Sequence, residues 1–367
     1  MRVLEELGIE LLWFDSLGAK SASIAITTSE GIVVIDPGAA EMQPSYPLPA
    51  DEKRRLRREA IRRIMEFARR ARAIIVTHYH YDHHTLPGDE DAGSCRDVYL
   101  GKRLLVKDPN KYINESQWHR ARKFLELVLA LAGRSLREFE EEPRQSEFPD
   151  PVNELRHALS KSFGDYDRRR RELLEKGRRW FEKLSRMWSE SSWIRERIEL
   201  GDGTVIEWCD GKTLELGDTR IRIFEPWFHG VEYDRTGWVC PIVIEKSGTK
   251  VFYTSDLMGP IIEDYAYRIA DERPRIVIAD GPPTYLFPYM FNRINLSRAI
   301  ENMIYIVETA SPELVVYDHH LLREKRWRER IEPLTRIAKA KGVRLVTAAE
   351  YMGMEPLIDR ITREERG

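Results

Sequence analysis

The chain has 367 residues, 42% of them hydrophobic and 33% charged, with 3 Cys; this composition excludes a disulfide scaffold, a disordered tail protein and a collagen-like rod. Lys+Arg 59 against Asp+Glu 61 leaves a net charge of −2, so no global field draws in DNA or an anionic membrane surface. The length gives one large domain or two smaller ones with ample core-forming sequence.

Only 6 Asn and 3 Gln accompany the many charges, the amide-poor balance expected of a thermophile. Met1 to Glu6 carries no apolar run followed by small residues, so no signal peptide is expected. No stretch approaches the roughly 18 uncharged apolar residues of a membrane span. Cys95, Cys209 and Cys240 are too few and too far apart for a zinc ribbon or a disulfide framework. The expectation is a soluble cytoplasmic protein.

In chain order, the first stretch is rich in β-branched residues. Ser21 to Thr27 and Gly31 to Ile35 read as strands joined by a turn at Ser29-Glu30-Gly31, and the second run stops abruptly at Asp36-Pro37-Gly38. The spacing of Leu56, Ala60, Ile64, Phe67 and Ala68 predicts a helix over 51–72. Its ten basic and four acidic residues read as a solvated outer face in preference to a basic docking face. Ala73 to Val76 is a short buried strand.

Residues 86–199 differ in character, with mixed-charge helical segments over roughly 115–142 and 153–197. In the second, Leu174, Gly177, Phe181, Leu184 and Trp188 recur at core spacing, as in a helical hairpin packed on the main body. A lid or a dimerisation arm is the functional alternative, which makes a homodimer one expectation. The run Asp167 to Arg171 suggests nucleic acid until Glu172 and Glu175 are seen at helical spacing, so nucleic-acid contact is not favoured. From Gly201 strand patterns return, at Thr204 to Trp208, Thr213 to Leu216, Ile221 to Phe224, Val239 to Glu245 and Lys250 to Thr254. Alternating units follow: strand 275–279, helix 296–310, strand 313–317, helix 323–341 and strand 344–346. Such a pattern predicts sheets covered by helices.

Seven of the nine histidines fall in three short places, and the densest is His78-Tyr79-His80-Tyr81-Asp82-His83-His84, directly after the strand Ala73 to Val76. In extended backbone, side chains two apart point the same way, so His78 and His80 can bind one ion together. Asp82 and His83 then turn toward a second position. A helical zincin-like reading of His80 and His84 fails because no Glu follows His80. His119 and His157 read as ordinary surface residues.

His78-x-His80-x-Asp82-His83 resembles the signature of the metallo-β-lactamase superfamily. Asp36-Pro37-Gly38 resembles that family's first motif, His229 its third, Thr254-Ser255-Asp256 its fourth and Asp318-His319-His320 its fifth. Lys107 to Gln117 and Asp318 to Arg323 are similar, more narrowly, to a mostly archaeal group of predicted metal-dependent hydrolases. The resemblance implies an α/β fold, a four-layer αββα sandwich built from residues 1–85 and 200–367, with 86–199 as a helical insertion.

It also implies two divalent metal ions, expected to be zinc, with iron or manganese serving the same ligands. One ion would take His78, His80 and His229 and the other Asp82, His83 and His319, with Asp256 bridging. His319 and His320 compete for one place; Arg323, four residues after His319 as in the related His-Phe-Ser-x-Arg pattern, favours His319. Asp36 would accept an imidazole N–H from behind, and His84 and His320 would support the site from outside. Asp280, before Gly281-Pro282-Pro283, is a further supporting residue or a turn former.

The activity implied is hydrolysis of an ester-type bond by hydroxide generated between the ions, with Asp82 and Asp256 in the catalytic set. A phosphodiester is favoured over a lactone or thioester, in a small-molecule or nucleotide-type substrate. Lys107, Asn114 and Trp227 are substrate-contact candidates, with Gln117, Phe228 and Trp238 beside them. A diiron redox centre resembles a pattern with Glu where His80 stands, and a metal-binding scaffold is the remaining alternative.

Overall fold

The protein is described by a computed structural model covering residues 3–365. Two seven-stranded sheets form its centre. In the first, spatial order runs through the strands Ile9–Phe14, Ala22–Thr28, Gly31–Ile35, Ala71–Val76, Arg103–Val106, Val205–Trp208 and Arg197–Glu199. In the second it runs through Thr213–Leu216, Thr219–Ile223, Ile242–Lys246, Thr249–Tyr253, Ile276–Asp280, Leu314–Asp318 and Arg344–Val346. Each sheet begins as an antiparallel meander and continues as parallel strands, and the first closes on Arg197–Glu199, antiparallel to Val205–Trp208.

The layering follows from side-chain alternation along strands. Val33, Ile35, Ala73 and Ile75 face across to Ile242, Ile244, Ile276, Ile278 and Val316 in a core between the sheets. Their neighbours Val34, Ile74 and Val76 face outward onto Ala60, Ile61, Ile64 and Met65 of the helix Ala50–Arg70. On the far side, Val243, Phe252, Val277 and Val315 meet Ile269, Met303, Ile306 and Val307 from the helices Glu263–Asp271 and Arg293–Ala310. Strands buried on both faces need unbroken apolar runs such as AIIV and GIVVI. The result is the four-layer αββα sandwich of a metallo-β-lactamase-type fold.

The expected boundary of the insertion differs from what is observed. Residues 86–199 are not wholly outside the sandwich, because Arg103–Val106 pairs in parallel with Ala71–Val76 and with Val205–Trp208 in the middle of the first sheet. A four-residue strand between turns was too short to register against the helical background. The predicted helices are also shorter: Glu115–Leu131 ends before Gly133, and the long second helix is restricted to Tyr166–Glu190 after a break at Gly164. Both glycines adopt left-handed backbone, which glycine enters without a Cβ clash.

The helix Tyr166–Glu190 is tied to the sandwich by a buried charge network. Arg170 and Arg298 both donate to Glu232 at 2.8 Å, and Arg298 also pairs with Glu263 at 2.6 Å. Trp188, Phe181 and Trp180 of the same helix pack around Trp238. Glu232 lies in the loop that carries His229, and Trp238 begins the strand that ends it. Among the described residues, no helix is long and apolar enough to cross a membrane.

Candidate functional site

The loops that leave the C-terminal ends of strands in both sheets converge at one edge of the sandwich, the usual place for a site in parallel α/β sheets. Asp36 follows Gly31–Ile35, Thr77 and His78 follow Ala71–Val76, Ser255 and Asp256 follow Thr249–Tyr253, and His319 follows Leu314–Asp318. Asp36, Ser255 and His319 have φ of 51°, 51° and 42°, left-handed backbone that is costly for residues other than glycine. The strain sharpens each turn so that the side chains face inward. Gly38 is needed for close approach: a Cβ there would lie 2.2 Å from the His84 backbone nitrogen.

Two clusters of ligand-type atoms share Asp256. His78, His80, His229 and Asp256 form the first. Its separations are 3.1 Å for His78 Nε2 to His80 Nδ1, 3.5 Å for His78 Nε2 to Asp256 Oδ2, and 3.2 Å for His229 Nε2 to Asp256 Oδ2. Asp82, His83 and His319 form the second. There Asp256 Oδ1 lies 3.1 Å from His83 Nε2 and 3.4 Å from His319 Nε2, and Asp82 Oδ2 lies 3.8 Å from His319 Nε2. One carboxylate oxygen thus faces each cluster. Donors bound tetrahedrally at 2.0–2.1 Å stand about 3.3–3.4 Å apart, close to most of these separations.

A second observation supports the fit. Both oxygens of Asp256 and both ring nitrogens of His229 are buried without a hydrogen-bond partner. Burying a carboxylate with no hydrogen bond is strongly unfavourable, and a cation between the clusters would remove that cost. The donor set therefore fits metal ions.

The outward ring nitrogens are fixed from behind, which sets the tautomers. Thr77 Oγ1 donates to Asp36 Oδ2 at 2.7 Å, so its lone pairs receive the His78 Nδ1–H at 3.1 Å and the Ser255 hydroxyl at 2.7 Å. Asp36 Oδ2 accepts from His83 Nδ1 at 3.0 Å, and Asp15 Oδ1 from His319 Nδ1 at 2.9 Å. In each case Nε2 is the nitrogen that turns inward. His80 is reversed: Nδ1 faces His78 while Nε2 lies 3.4 Å from the Gln117 amide, which also receives the Tyr79 N–H on its oxygen.

Burial, with His83 adding to it, lowers His78 to about 4 and keeps it neutral. Burial would lower His83 too, but Asp256 and Asp36 override it and push it up to about 10. Asp82 and Asp256 are held well below the usual carboxylate range, against the effect of burial, by His83 and His319. An acid-rich centre that retains protons on its imidazoles is one that a cation would fill.

His319 and His320 occupy different places. His319 reaches Asp256 Oδ1 and Asp82, whereas His320 Nδ1 bonds Asp280 Oδ1 at 2.8 Å and its Nε2 stays 4.0 Å from Asp256 Oδ2. Asp280 is pushed up to about 8 by burial and the nearby Asp256 charge, and its other oxygen caps Met258 N. His84 Nδ1 bonds the His80 carbonyl at 2.9 Å and so braces the loop. His119 and His157 are exposed.

Three substrate-contact expectations are corrected. Lys107 is wholly buried, with Nζ 2.6 Å from Asp210, so its charge is already neutralised inside the protein. Asn114 caps the helix Glu115–Leu131 by accepting from Gln117 N and donates to the Arg235 carbonyl at 2.7 Å, leaving it a structural role. Trp227 is buried, stacked 4.5 Å from Tyr265 and covered by the Arg268 guanidinium, so its ring is taken up by packing. Conversely, no motif in the sequence singles out Asp15 or Lys20, and Arg323 enters there only as part of a pattern. Asp15 ends the strand Ile9–Phe14 as Asp36 ends Gly31–Ile35. An acid at a strand terminus was the available signal.

No family model matches the chain. It is 29% identical over 356 residues to a UPF0282 protein of Methanocaldococcus jannaschii, covering 96% of this chain and 93% of the relative. Among solved structures, it resembles the metallo-beta-lactamase fold protein YhfI from Bacillus subtilis, with 11% identity, a TM-score of 0.40, and coverage of 92% and 94% of the two chains. A UPF0282 protein of Saccharolobus islandicus is 30% identical over 353 residues, covering 96% of this chain and 90% of the relative. At that identity over nearly its whole length, the chain belongs to the UPF0282 family.

Proposed function

We propose that this protein is a dinuclear metal-dependent hydrolase of an ester-type bond, with a phosphodiester favoured over a lactone or thioester. His78, His80 and His229 would hold one divalent ion, Asp82, His83 and His319 the other, and Asp256 would bridge them. Zinc suits the imidazole and carboxylate donors, and iron or manganese would serve as well. When bound, the ions supply Lewis acidity and lower the pKa of a shared water.

The observation that carries this reading is Asp256, whose two unpartnered, buried oxygens face different imidazole clusters. The protein's own residues supply the rest. Asp15, Asp36 and Thr77 orient three imidazoles, and the sheets and helices exclude bulk water from one side of the clusters. Access is from the side of His80 and Asp82, which are half-buried while the other members of the clusters are buried. Asp82 is the carboxylate placed to accept a proton from a water entering there.

The test is reconstitution of the full chain with zinc, followed by metal analysis and a panel of bis-p-nitrophenyl phosphate, lactones, thioesters and RNA. Two metal equivalents and turnover of one class are expected, with Asp256→Ala losing metal and all turnover. A folded wild-type protein that resists metal loading would refute the reading.

A further inference from the structure

On one side of the second cluster stands a buried cation, one of whose two carboxylate neighbours is the candidate metal ligand Asp82. Arg323 is buried, its Nε held by Asp15 and its Nη1 3.2 Å from the Tyr285 hydroxyl. Its Nη2 faces the cluster, 3.4 Å from Asp82 Oδ2 and 3.4 Å from His319 Nε2. Lys20 is half-buried and directly precedes Ser21, whose carbonyl lies 3.1 Å from His319 Nδ1 and whose N–H donates to Asp15 Oδ1; among the described residues its ammonium has no hydrogen-bond or ion-pair partner. Burial and the repulsion of Arg323 lower its pKa, only partly opposed by Asp82, Asp15 and Glu41.

The charge balance becomes clear once Asp82 is assigned to an ion. Asp15 is occupied by Arg323 Nε, His319 Nδ1 and Ser21 N. A carboxylate that ligates a cation no longer neutralises the guanidinium at 3.4 Å beside it. Arg323 then keeps only Asp15 as a carboxylate partner, on its Nε side, while its Nη2 edge and the Lys20 ammonium have no anion bonded to them. Tyr285, whose oxygen accepts from Arg323, keeps its own O–H to donate.

We propose that Lys20, Arg323 and Tyr285 form an anion cradle at the rim of the second cluster, and that the substrate presents a phosphate-type group to it. The inference rests on the hydrolase reading and names its substrate class. A planar guanidinium with one edge anchored on a carboxylate and the other directed at the reacting position suits an oxyanion better than a neutral acyl oxygen. A neutral lactone or thioester would leave the Lys20 ammonium and the Nη2 edge of Arg323 without an anionic partner, a penalty that a site built for an anion imposes on an uncharged substrate.

The experiment measures inorganic phosphate binding by calorimetry on the zinc-loaded full chain and on Lys20→Met and Arg323→Lys, with metal content recorded for each. Lys20→Met changes a half-buried, unpaired residue and should fold even if the Arg323 variant does not. The expected result is unchanged metal content with phosphate affinity at least about tenfold weaker in Lys20→Met, a loss of about one ionic interaction. Turnover of bis-p-nitrophenyl phosphate should fall in parallel while that of p-nitrophenyl acetate does not. Unchanged phosphate affinity in metal-loaded Lys20→Met overturns the cradle, since the ions alone would then account for binding. A wild type that takes up no metal overturns the hydrolase reading separately. In that case phosphate binding to the metal-free Asp82→Asn chain, in which Arg323 loses the carboxylate at 3.4 Å as it would to an ion, decides the cradle: a loss on adding Lys20→Met supports it, and absence of binding to Asp82→Asn overturns it.

Discussion

Asp36→Asn tests how the tautomers of the site are fixed. The buried Asp36 carboxylate accepts four hydrogen bonds: Thr77 N at 2.8 Å on Oδ1, and Thr77 Oγ1 at 2.7 Å, His83 Nδ1 at 3.0 Å and Tyr253 Oη at 2.8 Å on Oδ2. Asparagine has one acceptor oxygen and one donor nitrogen. If the oxygen takes the Oδ2 place, the NH2 group faces the Thr77 N–H, two donors with no acceptor between them. An unsatisfied buried donor costs about 1–3 kcal/mol. If the oxygen takes the Oδ1 place, the NH2 group faces His83 Nδ1, which must give up its proton to accept. His83 then carries its proton on Nε2, the nitrogen aimed at Asp256, and that nitrogen is lost as a ligand. Loss of such a supporting partner weakens metal binding by about 10–100-fold, or about 1.4–2.7 kcal/mol. Competition against a chromophoric chelator should show one tight and one weakened equivalent, and a thermal melt should show a lower midpoint. Two equivalents bound with wild-type affinity, together with an unchanged midpoint, would refute the reasoning.

The two adjacent histidines should separate cleanly. His319→Gln should bind one equivalent fewer than wild type in metal analysis, whereas His320→Gln should retain both, because His320 Nε2 stands 4.0 Å from Asp256 and its other nitrogen is held by Asp280; equal losses would show that both are ligands. The charge network that clamps the His229 loop should make stability depend on pH. Burial would raise Glu232, but Arg298 and Arg170 hold it down to about 2, below its ordinary 4.5. Its contribution, roughly 3 kcal/mol, is therefore complete above pH about 4.5 and fades as the pH falls toward 2. The difference in melting temperature between wild type and Glu232→Gln should be large at pH 7 and shrink through that window; a constant difference down to pH 3 would argue against the depressed carboxyl.

Much of the candidate site is legible in order along the chain because its ligand-type side chains crowd into short segments. Four histidines and an aspartate within seven residues, directly after a buried strand, limit what those side chains can reach. The strands AIIV and GIVVI are equally readable, since burial on both faces demands continuous apolar residues. Arg103–Val106 escapes notice because a central strand so short is specified by its two neighbours and hardly by its own sequence.

What the linear sequence could not decide is which polar groups face each other. Lys107 resembles a phosphate-binding lysine until Asp210, about a hundred residues away, is brought to 2.6 Å from it. Asp15 looks like any strand-terminal acid until the fold carries His319 and Arg323 onto its two oxygens. Lys20 gains interest only because it is left beside Arg323 without a partner. Which side chains are candidates for holding a metal follows from residue type and local spacing, and these the sequence determines by itself. Neutralisation, tautomer and access depend on long-range pairing, because a buried charge is defined by whichever opposite charge the tertiary structure sets against it.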